Sequence, residues 1–209
     1  MSSKKGSQFE REIPVALSKW WTNGEREDVF WRRDSGARAK RRSREGKHTF
    51  GAHGDICAID PIGLPLTNIM TLELKRGYGQ WSLMDVIDRP PMRKGQKNRT
   101  LQKFEEFLEQ VVEDSQAVNT YPVLITKRDK RQELIILPHT LLVKMKRYHF
   151  LKPPSLAVSI EGCEQSSYKF TALHFYSFLE WCNPSFFKQM DGENELRSKK
   201  ETQEESQSQ

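Results

Sequence analysis

The chain has 209 residues, 36% of them apolar and 30% charged, with a mean hydropathy of -0.75 and a formal charge of +6. That length suits one domain of ordinary size with appendages, and the low hydropathy marks a good part of the chain as surface or unordered. No apolar run approaches a membrane span, and Met1 to Gln8 lack the apolar stretch of a signal peptide. Cys57, Cys163 and Cys182 lie far apart without a CxxC pair, which speaks against zinc and for a reducing, cytoplasmic location.

Phe9, Ile13, Ala16, Leu17 and Trp20 fall on one stripe at helical period and predict a first helix. Ser7 is its expected N-cap and Asn23-Gly24 its terminator. Pro14 is a misfit, because an interior proline cannot donate to the carbonyl of Glu10; a kink there, or a start later than Ser7, is expected. Val29-Phe30-Trp31 reads as a short strand that leads into a basic loop. From Arg32 to Lys47 stand eight lysines and arginines (Arg32, Arg33, Arg38, Lys40, Arg41, Arg42, Arg44, Lys47) against Asp34 and Glu45, an excess equal to that of the whole chain. Such a block attracts phosphate backbones, although a solvated basic loop has the same composition.

Gly54 to Asp60 reads as a second strand, closed by Pro61 and Gly63, and a third runs from about Asn68 to Lys75. The short connection between them predicts adjacent, antiparallel strands. Residues 80 to 99 read as irregular, with a short helix near Trp81 to Ile87. After Thr100 a helix places Leu101, Phe104, Leu108, Val111, Val112 and Ser115 on one face and acids on the other. Tyr121 to Thr126 and Glu133 to Leu137 alternate as strands around a polar turn. Beyond Pro138 follow strands at Leu156 to Ile160 and Tyr168 to Thr171, then a helix carrying Phe175, Phe178, Leu179 and Cys182 and stopped by Pro184. From Asp191 to Gln209 only Leu196 is large and apolar, the composition of a disordered tail. The expected division is a core over 1–137, a small α/β appendage over 138–190 and a tail over 191–209. The fold class is α/β, a mixed central β-sheet flanked by helices.

The chemistry-bearing segment is Thr71-Leu72-Glu73-Leu74-Lys75. Strand alternation sends Leu72 and Leu74 to one face and Thr71, Glu73 and Lys75 to the other. If the second strand lies alongside, Asp55 can face Glu73, and two carboxylates offer the hard oxygen ligands that Mg²⁺ or Mn²⁺ prefers. The carbonyl of Leu74, between the two side chains, is a further candidate ligand, and Glu10 on the first helix can complete the shell. Lys75 suits a preorganised cation that positions water or stabilises developing charge. Taken alone, a Glu-x-Lys pair on a strand more often means a solvated salt bridge. Here it sits inside an otherwise apolar strand, after a glutamate-bearing helix and an arginine-rich loop. His48 and His53 can contact phosphate but are more often plain loop residues. Trp20, Trp21 and Trp31 can stack on bases but better suit core packing.

With Gly6 to Glu12 around Glu10, Ser35-Gly36 in the basic loop, Gly54-Asp55-Ile56 and Glu73-Leu74-Lys75, the chain resembles the PD-(D/E)XK nuclease superfamily over residues 6 to 137. Within it, the chain is similar to archaeal Holliday-junction resolvases and phage-type relatives. The resemblance implies a restriction-endonuclease-like core in which Glu10, Asp55 and Glu73 bind Mg²⁺, Lys75 is catalytic and Ser35 lies near the scissile strand. Gly54 stands where the family name has proline. No Gln-x-x-x-Tyr signature follows Lys75, since Gln80 is followed four places on by Met84, which speaks against a processive exonuclease. The expected function is a Mg²⁺-dependent DNA endonuclease; its junction-resolving version predicts a homodimer. The alternatives are a nucleic-acid binding protein that uses the same fold without cutting, and an interaction protein acting through residues 138 to 190.

Overall fold

In a computed structural model of the chain, residues 2–33, 53–77, 82, 84–88, 94–95, 101–146, 155–159, 169–194 and 196 are described. The first helix, α1 (Ser2–Trp21), forms along the stripe Phe9, Ile13, Leu17 and Trp21, every member of which is buried. Ser7, expected as the cap, lies inside the helix, and the chain stays helical across Pro14. One lost backbone donation is tolerated because buried apolar residues pin the turns on either side. The carbonyl of Pro14 accepts from Ser18 Oγ (2.8 Å), and that oxygen in turn accepts from the Phe30 amide (3.0 Å), tying α1 to the next element. The helix ends as expected at Asn23-Gly24, both with positive φ, where the Gly24 amide closes onto the carbonyl of Lys19 (2.7 Å).

Strand β1 (Phe30–Arg32) pairs antiparallel with β2 (Ile56–Ala58), Trp31 opposite Cys57. Asp60 then caps a 3₁₀ turn, Pro61–Gly63, that runs into a short helix α2 (Leu64–Ile69) before β3 (Met70–Arg76). This helix corrects the expected antiparallel neighbours. It carries the chain back so that the segment at β2 meets β3 in parallel, at the single bridge Gly54↔Leu72. Leu66, Thr67 and Ile69, all buried, follow Pro65 in a run too short to show a helical period in the sequence.

After a one-turn helix α3 (Met84–Ile87), α4 (Lys103–Gln116) opens with a capping box between Gln102 and Glu105 and presents Phe104, Phe107, Leu108, Val111 and Val112 to the sheet. It connects β3 to β4 (Tyr121–Lys127), which lies parallel to β3 with Glu73 beside Leu124 and Lys75 beside Thr126. Then come β5 (Leu134–Pro138), a helix not expected from the sequence, α5 (His139–Lys146), and strands β6 (Ser155–Ser159) and β7 (Lys169–His174). The sheet order is β3-β4-β5-β7-β6, mixed as expected. One face packs against α1, α5 and α6 (Phe175–Trp181) through Leu72, Leu74, Val123, Ile125, Ile135 and Leu137, and the other against α4 through Leu124, Ile136 and Ala172.

Described residues after Pro138 join this frame. β7 pairs with β5, and Phe178, Phe186 and Phe187 join the same core as α1. Trp20 donates from its ring to the Cys182 carbonyl (2.7 Å) and Trp21 to the Ile62 carbonyl (2.8 Å), so the first helix clamps both the α2 region and the C-terminal helices. Residues 185–194 are helical, and Asp191 accepts from Asn68 (3.2 Å), so the start of the expected tail is ordered on β3's side of the molecule. Among the described residues no helix is long and apolar enough to cross a membrane. The basic residues Arg38, Lys40, Arg41, Arg42, Arg44 and Lys47, together with Ser35, His48 and Cys163, lie outside the described residues.

Gly54 is where close packing and backbone conformation meet. Its φ is +74°, and a Cβ there would fall 2.5 Å from the Leu72 carbonyl oxygen. A side chain must therefore both occupy the left-handed region and push the chain off β3. Gly54→Ala is expected to cost about 2–4 kcal/mol, read as the shift of a urea unfolding midpoint; a change under about 0.5 kcal/mol would show that the bridge to β3 is dispensable.

Candidate active site

Glu73 occupies the middle of β3 on the face that α4 covers, and only 3% of the residue is exposed. A carboxylate that deep is rare unless paired. Its partners are at hand: Lys75 Nζ lies 2.6 Å from Glu73 Oε1, and Gln110 on α4 donates from Nε2 to the same oxygen at 2.9 Å. The amide of Gln110 works from both ends, since its Oε1 accepts from Lys75 Nζ, also at 2.9 Å. Phe107, one turn earlier, places its ring centroid 5.5 Å from the same ammonium. The pair therefore differs from a solvated strand-surface salt bridge. It is a largely enclosed group with its charge and hydrogen bonds matched.

Asp55 reaches the pair from outside the five-stranded sheet. Immediately after Gly54, its amide donates to the Leu72 carbonyl (2.8 Å), and its Oδ2 accepts from the Leu74 amide (2.9 Å). Its own carbonyl accepts from the Arg33 amide (2.6 Å). Leu72 and Leu74 flank Glu73, so Asp55 is fastened on both sides of that glutamate along the free edge of β3. Residues of a strand send N–H and C=O toward the same edge, so the Leu74 carbonyl also faces Asp55 rather than β4.

The two carboxyls feel each other. Burial and then the charge of Asp55 push Glu73 up to about 7, against the pull of Lys75. Burial likewise raises Asp55, with the Leu74 amide and Lys75 opposing and Glu10 adding to the rise. Two acids crowded in this way, with a backbone carbonyl on the same edge, form an oxygen-rich set of the kind that could hold a divalent cation. Among the described residues no group of three or more His, Cys, Asp or Glu comes together as a metal cluster.

Glu10, the third expected acid, sits on α1 within electrostatic reach of Asp55 but is 43% exposed at its side chain and paired with Arg32 (3.2 Å). Glu12, one turn after Gln8 on the same face of α1, approaches Arg76 at 4.0 Å. Of the expected phosphate-binding residues, Arg32 borders the site through Glu10 and Arg33 is exposed, joined to it by its backbone. His53 is exposed beside Gly54. Gln110 was missed altogether. Its position three residues after Phe107, at the border of the apolar stripe, was the available signal, but an exposed glutamine on an amphipathic helix has no distinctive spacing.

The raised Glu73 has a consequence for stability. The folded protein holds this proton up to about pH 7, whereas an unfolded glutamate releases it near 4.5. Between those values the folded state binds more protons, so stability falls as pH rises. In chelator, the wild type is expected to lose on the order of 1–3 kcal/mol between pH 4.5 and pH 7 through this group, and Glu73→Gln is expected to flatten that part of the slope. Identical slopes in the two proteins, followed by denaturant unfolding at stepped pH, would contradict the assignment.

Comparison with known proteins adds the family. No curated protein and no solved structure matches the chain. A family described as "Phage putative PDDEXK endonuclease" matches residues 1–189, through β7 and the helices that close the core. With a mixed sheet flanked by helices and this match over most of its length, the chain belongs to that family of PD-(D/E)XK proteins.

Proposed function

We propose that the protein is a Mg²⁺- or Mn²⁺-dependent endonuclease that hydrolyses phosphodiester bonds in DNA. The observation that carries this reading is the meeting of Asp55 with Glu73 on the edge of β3, beside the ammonium of Lys75. The family match supports a nuclease, and the residues supply what hydrolysis needs.

In this reading Asp55, Glu73 and the Leu74 carbonyl hold the ion, and Glu10 completes the set directly or through water once it leaves Arg32. Bound there, a divalent ion would supply Lewis-acid polarisation of a water and neutralisation of phosphate charge. Lys75 has three N–H groups, of which Glu73 and Gln110 take two. The third is left for the attacking water or a phosphate oxygen, where a fixed cation stabilises the charge that builds as the bond to the leaving sugar oxygen breaks. Arg32, Arg33 and the basic residues Arg38, Lys40, Arg41, Arg42, Arg44 and Lys47, with Ser35, grip the backbone without reading bases.

The test is cleavage of supercoiled plasmid and of a four-way junction, with Mg²⁺, Mn²⁺ or chelator. The wild type is expected to cut only with a divalent ion, and Glu73→Ala and Lys75→Ala to lower the rate about 100-fold or more. Salt-sensitive binding without turnover under any ion would favour the non-cutting DNA-binding alternative. Symmetric paired cuts in the junction would favour a two-fold homodimer of the resolvase type.

A further inference from the structure

Gln110 is the residue that the established parts of the motif leave unexplained. Glu73 and Lys75 are two apart on one strand, and an unassisted pair of this kind has several ways to meet, because a lysine side chain carries large rotamer freedom. Here both ends of one primary amide constrain it. Nε2 donates to Glu73 Oε1 and Oε1 accepts from Lys75 Nζ, each at 2.9 Å, closing a ring of three hydrogen bonds with the 2.6 Å ion pair. A primary amide offers a donor and an acceptor at fixed separation on one planar group, whereas a carboxylate would repel Glu73 and an ammonium would repel Lys75. The helix that supplies it is rigid where it matters, since Phe107 and Val111 on either side of Gln110 are buried against the sheet. Phe107 also supports the ammonium from its ring face.

We infer that Gln110 is a positioning residue for the proposed reaction: it fixes the Lys75 ammonium and the Glu73 carboxylate relative to each other, so that the remaining Lys75 N–H points where the phosphate binds. This rests on the proposed nuclease activity. Gln110 is itself exposed on α4 and belongs to neither apolar core, so its removal costs the fold only these two hydrogen bonds. That separates a positioning role from a structural one.

Gln110→Met keeps the side-chain length and removes both hydrogen bonds. Its melting temperature is expected to fall by no more than about 6 °C, the cost of two hydrogen bonds. Single-turnover cleavage of a duplex with Mn²⁺ is expected to slow about 10–100-fold while the DNA concentration for half-maximal rate moves less than about 3-fold, since nothing that grips the backbone has changed. Gln110→Glu, which keeps the acceptor for Lys75 but faces Glu73 with a charge, is expected to lose at least as much. As a readout apart from activity, the Lys75 ammonium should give a slowly exchanging ¹⁵N–¹H signal in chelator for the wild type and lose it in Gln110→Met. A wild type that cuts while both variants keep its rate and its ammonium signal overturns the inference and leaves the nuclease reading intact. A wild type that cuts nothing overturns the nuclease reading and the positioning role with it.

Discussion

Asp55 is held to β3 by two hydrogen bonds that reach alternate residues of one strand, the Leu72 carbonyl and the Leu74 amide. Because Glu73 lies between those two residues, this docking sets the Asp55 carboxyl beside the stretch of β3 from which Glu73 projects. The rest of the architecture serves the docking. Helix α2 turns the chain so that it arrives at β3 in parallel, Gly54 allows backbone to approach backbone where a Cβ would collide, and β1 braces the segment through the Arg33 amide. α1 in turn is buttressed by the C-terminal helices through Trp20 and Trp21.

The electrostatics follow from that geometry. A buried carboxylate costs several kcal/mol if left alone, and Glu73 escapes most of this through Lys75 and Gln110. What the protein's own groups do not relieve is the repulsion from Asp55, which keeps Glu73 reluctant to ionise. On the proposed reading that residual tension is what a divalent cation removes, so the site trades stability of the ion-free protein for affinity. Arg32 next to Glu10 has the same flavour: a protein cation occupies an acid that the family resemblance gives to metal binding.

Much of this was legible in the sequence wherever a period was long enough to read. The stripe Phe9, Ile13, Leu17 placed α1, the alternation in Thr71 to Lys75 separated core from chemistry, and the apolar face from Phe104 to Val112 placed α4. The errors share a cause. α2 and α5 are six and eight residues long, too short for a helical period to stand out, and missing α2 turned a parallel approach into an antiparallel expectation. The pairing of β5 with β7 spans a long connection and leaves no local trace in the sequence. Pro14 misled in the other direction, since local chemistry forecast a break that tertiary packing overrode.

The central claim, that Asp55 and Glu73 jointly hold a divalent cation beside Lys75, is tested most directly by anomalous diffraction from crystals soaked in Mn²⁺. The account predicts a peak within coordination distance, about 2.2 Å, of one oxygen from each carboxylate and near the Leu74 carbonyl. A peak elsewhere on the protein, or carboxylates that stay hydrogen-bonded as they are with no ion between them at saturating Mn²⁺, would contradict it.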